Sequence, residues 1–290
     1  MVSGNTMNRF NVDDLSKLYM PKASSHKGDN GKLMVIGGSI LFHAASLWSL
    51  KIASRIVDMV FYSSVDSNNE IVQREKEEFG DGIIVPRDKI EHYIEEADAV
   101  LIGPGLPREN GIEKGDNDTK ELTETLLNKY SNKKWVVDGG SLQVIKPSTL
   151  PHNSIITPHH KEFEVLKSRI QNPELRIKIK NAKPEEQVQI FAQEFSCAVL
   201  LKGEVDIVSD GTRTVQVKGG NAGMTKGGTG DVLAGLVAAL YCKNEAFLSA
   251  CAGSYINKRA GEELYKKVGL YFNASDLADE IPRVMKRLLI

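Results

Sequence analysis

Residues 218–241 read KGGNAGMTKGGTGDVLAGLVAALY, with six glycines among the twelve positions 219–230. Glycine reaches positive φ at no steric cost and lets backbone approach a ligand closely, so the run predicts a loop. Directly after it, Val232, Leu233, Leu236, Val237 and Leu240 recur at helical spacing, and Ala234, Gly235, Ala238 and Ala239 suit close packing. The stretch therefore predicts a glycine loop that opens a buried helix. The first turn of such a helix presents unpaired N–H groups, here those of Thr229, Gly230 and Asp231, and the positive end of the macrodipole, which together make an anion site. Asp231 reads either as a plain helix cap or as a base beside the anion. A cap needs no run of glycines. A phosphate cradled by Gly228, Thr229 and Gly230 with a carboxylate beside it needs both, which favours the second reading.

Upstream of the loop, Asp206–Ser209 and Thr214–Val217 predict a hairpin about the Asp210-Gly211 turn, and Ala198–Leu201 predicts a strand leading into Lys202-Gly203. Towards the N-terminus, apolar runs at Lys32–Ile36, Met59–Ser63, 82–85, Ala99–Ile102, 135–137 and 154–156 predict further strands. Helices are expected at 44–56, 90–96, 120–130, through Glu162 and Leu166, at 185–194 and at 246–267, with Asn273 capping a last one. Residues 108–118, charged and without periodicity, read as a solvated excursion, and 172–182 as polar and irregular. Alternation of β and α units implies an α/β fold with a mostly parallel sheet covered on both faces. In such sheets ligands gather at the carboxyl ends of strands. Five of those ends carry unusual residues, namely Gly37-Gly38-Ser39, Gly103-Pro104-Gly105, Asp138, His159 and Lys202-Gly203, which should surround one cleft with the glycine loop.

A length of 290 residues with 41% hydrophobic side chains supports a sizeable core. Residues 1–25 are polar and broken by Gly4 and Pro21, so they read as an arm with a short helix at 11–19, and 26–290 as a single catalytic domain. Thirty-seven basic against 38 acidic residues argue against a nucleic-acid footprint or an anionic membrane surface, so any phosphate site is local. No apolar run reaches the length of a membrane span, and Cys197, Cys242 and Cys251 lack CxxC spacing, which suits reduced core thiols and a cytoplasmic protein. GxxxxGK[ST] is absent and no GxGxxG follows a strand, so the phosphate site is of another kind. Amides at a helix terminus with one carboxylate are what phosphoryl transfer to an alcohol requires. Lys202 at its strand end either meets a phosphate or is solvated, and Lys226 has the same two readings. His159 and His160 read as loop histidines, and no spacing suggests a protein-held metal.

The segments HKGDNGKLMVIGGS (26–39), IGPGL (102–106), TPHHKEF (157–163), VLLKGEVDIV (199–208) and NAGMTKGGTGDVLAGLVAAL (221–240) resemble those of NAD(P)H-hydrate dehydratases, members of the ribokinase-like superfamily. The resemblance runs in order from about Lys22 to the end. It implies a ribokinase-like three-layer αβα fold and a stand-alone dehydratase without the epimerase domain fused to many relatives. The family phosphorylates the S epimer of NADHX or NADPHX at the expense of a nucleotide and eliminates phosphate to restore NADH or NADPH. Bacterial and archaeal members use ADP, giving AMP, and the NAGM…GGTGD form here is similar to theirs. By resemblance Asp231 activates the substrate hydroxyl. Lys202, Gly203, Glu204, Val205 and Asp206, with Asn221, Gly228, Thr229 and Gly230 of the loop, hold the nucleotide and its phosphates, and Mg²⁺ accompanies them. Ala45, Gly105 and His159 line the hydrated-nicotinamide site, and a homo-oligomer, often a tetramer, is implied. The chain departs from the family pattern at Phe42 and Ala44, at Asp138-Gly139-Gly140, at His159-His160-Lys161-Glu162 and at Lys226. The rival expectations are a ribokinase-like kinase of a vitamin precursor or sugar, with a stable phosphorylated product, and a catalytically silent adenylate-binding protein.

Overall fold

Apolar residues alternate between the two faces of the first strand, β1 (Lys32–Ile36). Leu33 and Val35 enter one hydrophobic cluster, and Met34 and Ile36 enter a second on the other side. That double burial is what a parallel sheet covered on both faces demands. The computed structural model describes residues 8–108 and 119–290. It continues with β2 (Met59–Ser63), β3 (Ile83–Ile84), β4 (Ala99–Ile102), β5 (Lys134–Val137), β6 (Ile155–Ile156), β7 (Ala198–Leu201), β8 (Asp206–Ser209) and β9 (Thr214–Val217). The sheet order is β3-β2-β1-β4-β5-β6-β7-β8-β9. Pairing is parallel from β3 through β7, whereas β8 and β9 add an antiparallel edge made by the expected hairpin.

Eleven α-helices lie among the described residues: α1 (His43–Ala53), α2 (Asp66–Arg74), α3 (Ile90–Glu96), α4 (Thr119–Lys129), α5 (Gly139–Val144), α6 (His160–Ser168), α7 (Pro173–Asn181), α8 (Pro184–Glu194), α9 (Thr229–Lys243), α10 (Ala246–Val268) and α11 (Ala274–Leu289). Apolar side chains of α1, α9, α10 and α11 build the first cluster, and those of α3, α4, α5, α6 and α8 the second. These are the three layers. Helix α9 carries little amphipathic contrast because nearly all of its side chains from Val232 to Cys242 are buried. Its small residues let neighbours close in. A Cβ on Gly235 would stand 2.6 Å from Ser49 Cα of α1, and one on Gly253 of α10 would stand 2.6 Å from Val237 Cγ2.

The N-terminal arm docks rather than trails. Phe10 N–H donates to Gln216 O (3.0 Å), Gln216 N–H donates to Asn8 O (3.0 Å), and a 3₁₀ helix at Val12–Lys17 buries Leu15. Residues 172–182, expected to be irregular, instead form α7. Asn172 accepts from the amides of Glu174 and Leu175, Pro173 takes the first helical position, and Ile179 is the one buried residue on the helix. The cap, not an apolar stripe, carries this helix. Helices α2 and α5 likewise carry no periodic signal: α2 has only Ile71 and Val72 as aliphatic residues, and α5 opens on Gly139-Gly140, which signals a turn. Arg108 is exposed, and the rest of the 108–118 excursion lies outside the described residues.

Candidate active site

Helix α9 begins as the glycine loop ends. Gly228 is its N-cap at φ +94°, and a Cβ there would run into the Trp48 ring and Ala274, so both conformation and space exclude other residues. Asp231 is therefore the third residue of the helix and not its cap, and no side chain caps this terminus. The Thr229 hydroxyl turns inward, donating to Met224 O (2.6 Å) and Lys226 O (2.9 Å), and its N–H reaches Lys226 O at 3.4 Å. That amide, expected to be unpaired, is partly satisfied. The first bond of the helical ladder runs from Val232 N–H to Gly228 O (3.0 Å), so the amides of Gly230 and Asp231 face out of the first turn.

Beside this terminus stands a cluster of charges. Lys202 follows β7, and its N–H donates to Pro158 O (2.8 Å), which extends the β6–β7 pairing beyond the strands and sets Lys202 opposite His159. Its ammonium donates to Asp138 Oδ1 (2.8 Å) and lies 3.5 Å from where a Cβ on Gly230 would be. Asp138, at the end of β5, also accepts from Thr157 Oγ1 (2.7 Å). Its side chain is only 3% exposed, against 17% for Lys202. Burial alone would lower the Lys202 ammonium, but the carboxylates of Asp138, Glu162 and Asp231 outweigh it and leave the pKa above the ordinary value. Burial, then the Asp138 charge, drives Asp231 the other way for an acid, up to about 7, with Lys202 pulling back. Buried Glu162 accepts from the His159 amide (2.9 Å) and shows a raised pKa, chiefly from burial. His159 Nδ1 accepts from Glu162 N–H (3.2 Å), and burial followed by the nearby Lys202 cation lowers the imidazole pKa, so the ring is neutral at pH 7.

The remaining predicted residues divide. On the far flank, a Cβ on Gly105 would stand 3.0 Å from Ala45 Cβ and 2.8 Å from Phe42 O, and Gly38 N–H donates to Pro104 O (2.7 Å). Ala45 and Gly105 thus share one wall. Glu204 is exposed and Val205 half-buried in the turn after Gly203. Asp206 is instead a buried tie: it accepts from Gly203 N–H (2.8 Å) and Ser254 Oγ (2.7 Å) and pairs with Lys258 (3.2 Å). Asn221 is likewise committed, accepting from Gly223 N–H (2.9 Å) and donating to Gly261 O (2.8 Å). Lys226 takes neither of its expected roles, since its ammonium donates to Leu270 O and Phe272 O and pins the loop to the α10–α11 connection. The sequence puts Asp138 at the cleft as a strand end but gives it no partner, and it offers no signal for Glu162, which stands in the first turn of α6.

A helix terminus with free amides, an ammonium beside it and a carboxylate that titrates near neutrality can bind a phosphate and accept a proton from an alcohol in the same place. The sheet, its two helical layers and this terminus define a ribokinase-like α/β protein. A solved ribokinase-like superfamily protein from Enterococcus faecalis superposes with a TM-score of 0.82 at 20% identity, covering 100% of this chain and 99% of that one. The ADP/ATP-dependent NAD(P)H-hydrate dehydratase of Bacillus subtilis, co-crystallised with ATP and Mg²⁺, gives 0.78 at 20% identity, with 98% and 99% covered. The sequence profile of the NAD(P)H-hydrate dehydratase family matches residues 33–283, and the chain belongs to that family. It is 34% identical to the ADP-dependent (S)-NAD(P)H-hydrate dehydratase of Nitrosopumilus maritimus, over 94% of this chain and 95% of that protein. It is 37% identical to the bifunctional NAD(P)H-hydrate repair enzyme Nnr of Methanocaldococcus jannaschii, over 94% of this chain and 52% of that protein. The chain therefore spans about half the length of the bifunctional relatives it matches.

Proposed function

We propose that the protein is an ADP-dependent (S)-NAD(P)H-hydrate dehydratase, which returns NADHX and NADPHX to NADH and NADPH with release of AMP and phosphate. The observation that carries this reading is Asp231: a carboxyl with a pKa of about 7, in the first turn of a helix whose free amides lie beside the Lys202 ammonium. A general base works best when its pKa is near the working pH. In the proposed chemistry Asp231 takes the proton of the substrate hydroxyl as its oxygen bonds to the terminal phosphorus of ADP and the bridging P–O bond breaks, leaving AMP. The amides of Gly230 and Asp231 and the Lys202 ammonium face the transferred group and offset its charge. The phosphate ester then leaves as inorganic phosphate while the adjacent ring carbon loses a proton, and the dihydronicotinamide double bond re-forms. His159, neutral and next to Asp138 and Lys202, lies where the ring would be held. The Ala45 and Gly105 wall, which has no side chain beyond one methyl, leaves room for the rest of the substrate.

Mg²⁺ would come with the nucleotide and neutralise its phosphates. Among the described residues no His, Cys, Asp and Glu side chains group into a metal-holding set, so no step is assigned to a protein-held ion. No helix among the described residues is long and apolar enough to cross a membrane, and three buried free thiols suit the cytoplasm. The test is recovery of dihydronicotinamide absorbance from hydrated NADH with ADP or ATP and Mg²⁺, using wild type and Asp231→Asn in parallel. Recovery that depends on ADP, and that falls about 10²- to 10⁴-fold in the variant, supports the assignment. A stable phosphorylated product would point to a small-molecule kinase instead. Nucleotide binding without turnover would point to a silent adenylate-binding protein.

A further inference from the structure

All three guanidinium nitrogens of Arg87 are buried, and none has a hydrogen-bond partner. Val85 N–H donates to Tyr62 O (2.7 Å), which carries the β2–β3 pairing one residue past β3 and delivers Arg87 to the carboxyl end of that pair. This is the edge of the sheet that holds Gly37, Gly103, Asp138 and Lys202. The hydroxyl of Ser63, the last residue of β2, is buried there without a partner as well. Burial drags the Arg87 guanidinium down to about 10, and the groups that oppose this are the Tyr62 phenol and the Asp66 carboxylate. Neither is a good counter-ion. The Tyr62 hydroxyl is occupied by Ser46 Oγ (2.8 Å) and Asn68 Nδ2 (2.9 Å), and Asp66 is exposed.

A buried guanidinium with no acceptor is costly, and its planar fork matches phosphate oxygens. A neighbouring cavity of about 530 Å³, lined by Asp66, Asn69, Glu70, Gln73, Ile84 and Pro86, carries two carboxylates and repels an anion. An anion would therefore have to come from the side of the strand ends. There a Cβ on Gly38, in the turn beside Gly105, would meet Ser64 Oγ at 2.6 Å, so the cleft wall and the β2 end are in contact. We propose that Arg87 is a specificity-determining residue that receives a phosphate of the substrate's diphosphate bridge, the part of the dinucleotide remote from the reacting ring. The proposal rests on the dehydratase reading for the identity of the ligand, but not for its charge.

Arg87→Met and Arg87→Lys test it. The Met variant, relieved of an unpaired buried charge, melts at a higher temperature than wild type in the absence of ligand. Its KM for hydrated NADH rises about 10- to 100-fold while its KM for ADP and its kcat stay unchanged, and Lys restores part of the loss. With AMP saturating the nucleotide site, inorganic pyrophosphate raises the melting temperature of wild type and not of the Met variant. A Met variant that is less stable than wild type and has an unchanged KM would make Arg87 a structural residue and overturn the proposal. If no variant turns over hydrated NADH, the pyrophosphate arm still decides. A shift lost in Met keeps the anion site and discards the dehydratase reading, and equal shifts discard the site.

Discussion

Two lysines lie at opposite ends of helix α9, and their surroundings are opposite too. Lys134, at the amino end of β5, donates to the carbonyls of Tyr241 (3.0 Å), Cys242 (3.3 Å) and Asn244 (3.1 Å), where the helix ends. The negative end of the macrodipole favours a cation there, and carbonyl oxygens are enough to hold it. Burial is the larger influence and lowers the Lys134 pKa. Lys202, beyond the carboxyl end of β7, faces the positive end of the same helix, which opposes a cation. It is retained by Asp138, Glu162 and Asp231, which raise its pKa despite burial. A lysine at the carbonyl end completes the fold. One held at the amide end against the helix field adds positive charge to an end that is already positive, which is useful only if an anion comes.

The largest effect should follow removal of the second lysine. Lys202→Met leaves mutually repelling carboxylates in a mostly buried cluster and should cost about 3–5 kcal/mol at pH 8 by urea unfolding, less at pH 5, where Asp231 is protonated. Turnover should fall at least about 100-fold. Next comes Asp231→Asn. The folded-state pKa of Asp231 is about 7, above the ordinary carboxyl value, so the stability it contributes is complete in acid and is lost as pH rises through about 7. The neutral amide should therefore be more stable than wild type by roughly 1–2 kcal/mol at pH 8, after allowance for solvent at a half-buried group, and no more stable near pH 4. Wild-type turnover should rise to a plateau above pH 7, as a base requires. Lys134→Met should cost about 1 kcal/mol in thermal unfolding and leave turnover unchanged, which is the sharpest contrast with Lys202. The smallest effect belongs to Lys226→Ala. Its exposed ammonium ties the glycine loop to carbonyls, and losing it should cost less than about 1 kcal/mol while modestly raising KM for ADP. Equal responses of Lys134 and Lys202 would collapse the comparison.

Much of this was legible locally. Strands β1, β4 and β7 are uninterrupted apolar runs that end in Gly37, Gly103 and Lys202, and the run of buried residues after Gly228 announces α9. Helix α7 escaped because its signal is the Asn172-Pro173 cap and not periodicity, and α5 because two glycines open it. Residue type alone does not say that the polar atoms of Asp206 and Asn221 are used inside the fold to tie loops to α10. The strand-end rule drew Asp138, His159 and Lys202 to one cleft, but nothing near Asp138 in sequence marks it as the partner of a lysine 64 residues away.

The sequence by itself determined the alternating elements, the parallel sheet they impose, the glycine loop and the helix terminus it opens. Hydrophobic periodicity and glycine conformation are local properties, set within a turn or a strand of the residue concerned. The tertiary structure alone decided which charges meet. It set Asp138, Glu162 and Lys202 around Asp231 and so moved that carboxyl to about 7, it buried Arg87 without a counter-ion, it turned Thr229 and Asn221 inward, and it tied Lys226 to backbone carbonyls. Electrostatic character depends on distance and desolvation, and both exist only once the strand ends have been brought together.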